Sequence, residues 1–272
     1  AFDYLEYLGT SDMTPEELKS EFYRLACTFY VSPGNERTYV VLSGLNENMP
    51  AAVQLFEKLL ADAQVNKEAY TNMTSDILKA RSDAKLNQGQ NFSRLMSFAM
   101  YGPKSPATNL LTEAELTNMN PQELVDRIHN QNSYKHRILY YGPSSSKDLL
   151  ATINQYHQVP AALKDIPAGN EYSYLETPVT KVLVAPYDAK QIYMAQISNL
   201  DKKYDPAIEP IRALYDEYFG GGMNSIVFQE MRETRGLAYS AWASIMPPSY
   251  LKYPYVLRTQ IATQNDKMAQ AI

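Results

Sequence analysis

The chain has 272 residues, 45% hydrophobic and 20% charged, with 25 basic against 30 acidic side chains and a formal net charge of -5. That balance, without any block of Lys or Arg, gives no surface for a row of phosphates or an anionic bilayer, so neither nucleic acid nor membrane is expected as a partner. No apolar run approaches the roughly 18 residues of a spanning helix, and one cysteine among three histidines leaves the redox compartment open.

The chain opens on Ala1 in what reads as the last turns of a helix, with Phe2, Leu5 and Leu8 ahead of Gly9. It closes at Ile272 as another helix, from Asp266, begins; both edges read as cuts through elements of a longer polypeptide. Thr14-Pro15-Glu16-Glu17 supplies an N-cap, a first-turn proline and acids, so a helix is expected to about Ala26. Two strands, Phe29 to Ser32 and Arg37 to Ser43, should form a hairpin through Pro33-Gly34-Asn35. Helices are expected over Met49 to Ala63, Lys67 to Asn87, Asn91 to Met100 and from Pro121, then a strand over Tyr134 to Tyr141. A Ser-, Pro- and Tyr-containing connector has one helical pattern at Lys147 to Tyr156. Beyond it the pattern predicts strands at Lys181 to Pro186 and Gln191 to Ile197, a helix from Asp205-Pro206 to the Gly220-Gly221-Gly222 stop, and a helix over Asn224 to Arg235. Strands at Ala238 to Met246 and Tyr253 to Ala262 complete the series.

The order repeats. Glu6-Tyr7-Leu8-Gly9 matches Glu217-Tyr218-Phe219-Gly220 at an offset of 211, each leading into helix, strand, strand, helix. A duplicated α+β unit is expected, with antiparallel-rich sheets packed on helices.

Residues Gly220 to Ser240, with Met231-Arg232-Glu233 ahead of Gly236-Leu237-Ala238-Tyr239-Ser240, resemble the carboxy-terminal signature of the insulinase/pitrilysin-type zinc peptidases, which include the mitochondrial processing peptidase. The resemblance implies tandem homologous α+β domains enclosing a proteolytic chamber. It makes 1–142 a truncated third-domain-like repeat, 143–178 a connector and 179–272 a truncated fourth-domain-like repeat. It also implies a zinc metalloendopeptidase acting on peptides or small unfolded polypeptides. By the same resemblance the zinc would lie in an amino-terminal half, on the same or a partner chain, with none expected in this one; the residues themselves leave the location unknown, and the family leans to the bacterial periplasm or cell envelope.

Laying Tyr7-Leu8-Gly9-Thr10 on the end of the family's His-x-x-Glu-His helix puts Asp3 at the base and Tyr4 at the second His, with Asp76 near the distal Glu ligand. A tyrosine cannot replace a neutral imidazole on zinc, so these are degenerate zinc-site positions, and Asp3 and Asp76 read as solvated helix charges. Arg232 and Tyr239, seven apart, match the family's substrate-gripping arginine and oxyanion-donating tyrosine. The alternative is a non-catalytic scaffold or core subunit that keeps the fold for assembly. His129, His136 and His157 are expected in surface or capping roles, having no second ligand at metal spacing along the chain. Cys27 reads as a buried small hydrophobe, Arg235-Gly236 as a helix end, and Trp242, Tyr250, Tyr253 and Tyr255 as core or sheet surface.

Overall fold

The computed structural model describes residues 1–34 and 37–272, so Asn35 of the expected hairpin turn lies outside the described residues. In chain order the helices are α1 (Phe2–Leu5), α2 (Pro15–Arg24), α3 (Met49–Asp62), α4 (Lys67–Lys85), α5 (Gln88–Tyr101), α6 (Glu113–Asn118), α7 (Pro121–His129), α8 (Ser146–Tyr156), α9 (Glu209–Asp216), α10 (Ile226–Phe228) and α11 (Met268–Ala271). The strands are β1 (Cys27–Pro33), β2 (Thr38–Gly44), β3 (Gln191–Lys203), β4 (Ala238–Met246) and β5 (Pro254–Gln264). The class is α+β with antiparallel sheets.

By contacts the chain divides into two compact units, 1–80 with 111–170 and 81–110 with 171–272. These differ from the sequence-derived bounds: 81–110 groups with the later unit and 143–170 with the earlier one.

In the first unit, β1 and β2 pair in continuous register from Cys27↔Gly44 to Pro33↔Thr38. Thr14 caps α2 through a reciprocal box: its hydroxyl accepts from the Glu17 amide at 3.2 Å and the Glu17 carboxylate accepts from the Thr14 amide at 2.8 Å. The core gathers Leu5, Leu8, Leu18, Phe22, Leu59, Val125 and Ile128 with Cys27, which is buried as expected. Phe22, Phe29 and Phe56 join α2, β1 and α3 in a run of tilted rings 5.0 and 5.1 Å apart.

The turn before α2 is tied to the end of α3, where Asp62 accepts from both the hydroxyl (2.6 Å) and the amide (2.9 Å) of Ser11. These donors favour the carboxylate and hold Asp62 below the usual range for an aspartate. A depressed folded pKa adds stability that is present above the unfolded value and lost as pH falls through the folded one. Ser11→Ala should therefore destabilise the chain at neutral pH and flatten its acid-induced loss of stability below about pH 4. Urea unfolding measured from pH 6 to 2 checks this; parallel profiles for the two proteins would refute it.

In the second unit β5 is the central strand, flanked by β3 and β4. The end of α9 winds into a π-turn over Glu217–Gly221, and α10 continues as another over Gln229–Thr234. Tyr255 of β5, 1% exposed, donates to Glu209 of α9 at 2.6 Å, joining sheet to helix.

The offset of 211 holds beyond the four residues that define it. The N-cap Thr14 corresponds to the N-cap Ser225, and the first residue of β1, Cys27, to the first residue of β4, Ala238.

Two expected strands are absent. Of Tyr134 to Tyr141 only Tyr134 bridges, to Lys164, and Lys181 to Pro186 forms none. Their alternating apolar residues face solvent, Leu139 at 84% and Val182 at 83% exposed, and neither stretch has a neighbouring strand to accept its ladder. Strand propensity expresses itself through such partners, so the pattern alone is insufficient. The short helix α6, capped by Thr112 and Glu115, and the extension of β3 to Lys203 were not anticipated from the pattern.

Candidate functional site

Arg232 lies in the π-turn Gln229–Thr234 and Tyr239 is the second residue of β4. The α10 segment starts at the Ser225 cap, whose hydroxyl accepts from the Phe228 amide, and ends where Gly236 turns to φ +58°. Gly236 donates its amide to the Arg232 carbonyl and Leu237 to that of Met231, so the helix end and the strand start are joined by backbone bonds.

A π-turn and a β-bulge each add a residue and rotate the chain beyond it. Both occur here. Along β4 and β5 the register reads Ala238↔Thr263 and then Ser240↔Ala262, which leaves Tyr239 as the unpaired extra residue. Its side chain is thrown out of the sheet and is 72% exposed. The Arg232 guanidinium sits over the Tyr239 ring at 5.5 Å and over the Phe228 ring at 4.9 Å, while its Nε lies 3.5 Å from Glu233. The Arg232 side chain, 44% exposed, thus lies against both rings, paired at Nε with Glu233, and the Tyr239 phenol stands beside it. In the first repeat the positions 211 earlier are Glu21, paired with Arg24 at 2.7 Å, and Thr28, on an unbulged strand. The cation and phenol therefore belong to the second repeat alone.

Asp3, Tyr4 and Asp76, the positions expected to form a degenerate zinc site, are in the first unit. Asp3 from α1 and Asp76 from α4 line one shallow cleft of 340 Å³ together with Glu6, Tyr7, Met73 and Ile77. Tyr4 does not join them: it is 0% exposed, its ring meets Tyr70 edge-on at 5.6 Å, and its hydroxyl donates to the Asn66 carbonyl at 2.5 Å and accepts from the Asn66 amide at 2.9 Å. A side chain turned inward and saturated on backbone is unfit as a metal ligand. Two separated carboxylates do not replace the imidazole pair, so this cleft does not fit a catalytic zinc. Among the described residues, no group of three or more His, Cys, Asp and Glu is placed to hold a metal ion. Tyr4→Phe should strand the Asn66 amide and carbonyl and cost about 1 to 2 kcal/mol. Chemical denaturation checks this, and an unchanged midpoint would remove the proposed structural role.

Of the histidines, His129 takes a capping role, its Nε2 at 3.0 Å from the Ala63 carbonyl that ends α3. His136 and His157 depart from expectation, because folding brings a second histidine and a carboxylate to them. Trp242 lies under the Arg258 guanidinium at 5.0 Å, and Tyr250 and Tyr253 meet edge to face at 5.9 Å, on the sheet surface and its connecting turn.

No family model matches the chain. A curated relative, an uncharacterized zinc protease of Rickettsia felis, is 21% identical over 252 residues, covering 88% of this chain and 57% of the relative. The chain thus spans little more than half the length of that protein. The crystal structure of a peptidase M16 inactive domain from Pseudomonas fluorescens superposes with a TM-score of 0.68 at 16% identity, over 98% of this chain and 67% of that one. The periplasmic protease PqqL of Escherichia coli superposes with a TM-score of 0.73 at 13% identity, over 99% of this chain and 29% of that one.

Proposed function

We propose, because the chain resembles the insulinase/pitrilysin-type zinc peptidases and carries the fold of a peptidase M16 inactive domain, that it is the half without the catalytic zinc of a metalloendopeptidase that hydrolyses peptides or small unfolded polypeptides. Its repeats at 1–142 and 179–272 would be the third- and fourth-domain equivalents, closing a chamber on an amino-terminal half that carries the zinc. The metal, when bound there, supplies Lewis acidity to the scissile carbonyl. This chain binds and orients. The Arg232 guanidinium grips a substrate carbonyl oxygen, and the Tyr239 hydroxyl donates to the negative charge that grows on the oxygen under attack.

One observation carries the reading: a fixed guanidinium and a free phenol stand side by side, aimed at solvent by two local irregularities. The reading is tested by joining the chain to its zinc-bearing half and measuring hydrolysis of a quenched fluorescent peptide. Activity should require both halves, and Tyr239→Phe should remove most of it. A zinc-loaded assembly without activity would favour the scaffold alternative instead. The envelope location stays with the resemblance, supported by the periplasmic PqqL.

A further inference from the structure

His136 and His157 are 21 residues apart in the chain, on either side of α8, yet their Nε2 atoms are 2.8 Å from each other, with ring planes at 84°. The opposite nitrogens are both committed. His157 Nδ1 is 2.7 Å from Glu57 Oε1, and His136 Nδ1 is 2.6 Å from the Tyr134 carbonyl oxygen. An ionised carboxylate and a backbone carbonyl only accept, so each Nδ1 carries the hydrogen. At 2.8 Å the two Nε2 lone pairs then face one another, an arrangement that either a shared proton or a metal cation between them satisfies.

Glu57 is itself held. Its Oε2 accepts from Asn132 Nδ2 at 2.9 Å, and the His157 and Glu57 side chains are 11% and 17% exposed. A ring nitrogen donating to a carboxylate or carbonyl while the other ring nitrogen points outward is the arrangement that orients histidine ligands on metals. We propose that His136 and His157 form a two-histidine site for a late transition-metal dication such as zinc, with water completing the shell and Glu57 as a positioning residue. Imidazole nitrogens select such ions over magnesium or calcium. Tetrahedral coordination at 2.0–2.1 Å places two nitrogens about 3.3 Å apart, so the pair must open by about half an ångström. His136 is on the exposed side and can turn to do so. The site joins α3, the end of α8 and the segment at Tyr134, apart from the Asp3–Asp76 cleft and independent of the peptidase reading.

The probe is zinc chloride titrated into the chelator-treated 272-residue chain by calorimetry. A single saturable site is expected, weakened at least tenfold by His136→Gln and by His157→Gln, and about 10- to 100-fold by Glu57→Gln. Because His136 is exposed, His136→Gln should leave the circular dichroism unchanged and serves as the decisive variant if the others misfold. Asp76→Asn should leave the affinity alone. Absence of saturable binding, binding indifferent to His136→Gln, or binding abolished by Asp76→Asn would each overturn the proposal.

Discussion

Tyr239→Phe, introduced into the chain and assembled with the proposed zinc-bearing half, is expected to lower kcat about 10²- to 10³-fold while leaving KM nearly unchanged. A single donor to a developing oxyanion is worth about 3 to 4 kcal/mol in the transition state, and a donor that acts mainly there changes kcat rather than substrate affinity. The substitution is unusually clean for this site. Phenylalanine keeps the aromatic face that the Arg232 guanidinium covers at 5.5 Å, so the cation stays in place and only the hydroxyl is lost. With 72% of the residue exposed and no ladder partner at its bulged position, folding should be unaffected. If Tyr239 were an ordinary sheet residue, the same change would leave both constants alone, and that result would end the oxyanion argument.

Arg232 should behave differently. Arg232→Lys keeps the charge but loses the planar fork and much of its stacking between Phe228 and Tyr239, so KM should rise as well as kcat fall. The double variant should fall short of the product of the two single losses, because the residues touch and the phenol is placed beside the guanidinium.

Much of this was legible in the sequence because it depends on local chemistry. Thr14-Pro15-Glu16-Glu17 specifies its helix start whatever surrounds it, and the seven-residue step from Arg232 to Tyr239 counts out a helix end and a strand start. Features arising from chain-distant partners were not legible. Tyr134 to Tyr141 alternates like a strand and lacks a neighbour. Tyr4 could be excluded as a zinc ligand by residue type, but its inward turn onto Asn66 depends on a residue 62 positions away. The His136–His157–Glu57 cluster failed for the same reason, because its members meet only after three elements pack. The bulge at Tyr239 and the π-turn at Arg232 leave no mark in composition; they are read only from the register and the backbone bonds.

Gly220 carries the second large effect. It ends the α9 turn against β4 so closely that a Cβ would stand 2.3 Å from the Ala243 carbonyl oxygen and 2.4 Å from its amide nitrogen. Ala243 is 1% exposed and lies in the strand interior, so neither side can retreat without moving backbone. Gly220→Ala should therefore cost about 3 kcal/mol or somewhat more, at the upper end of overpacking losses. That corresponds to a fall in Tm of about 5 to 10 °C. Trp242, the sole tryptophan, sits on β4 next to the contact and reports it by fluorescence. Gly236→Ala is the matched control: its φ of +58° makes alanine strained, but an added Cβ meets nothing within 4 Å. The expected cost there is only about 1 kcal/mol. Equal losses for the two variants would mean that backbone conformation, rather than close approach of helix to strand, accounts for the glycine at the end of the repeated Glu-Tyr-x-Gly segment, and the packing argument for Gly220 would fail.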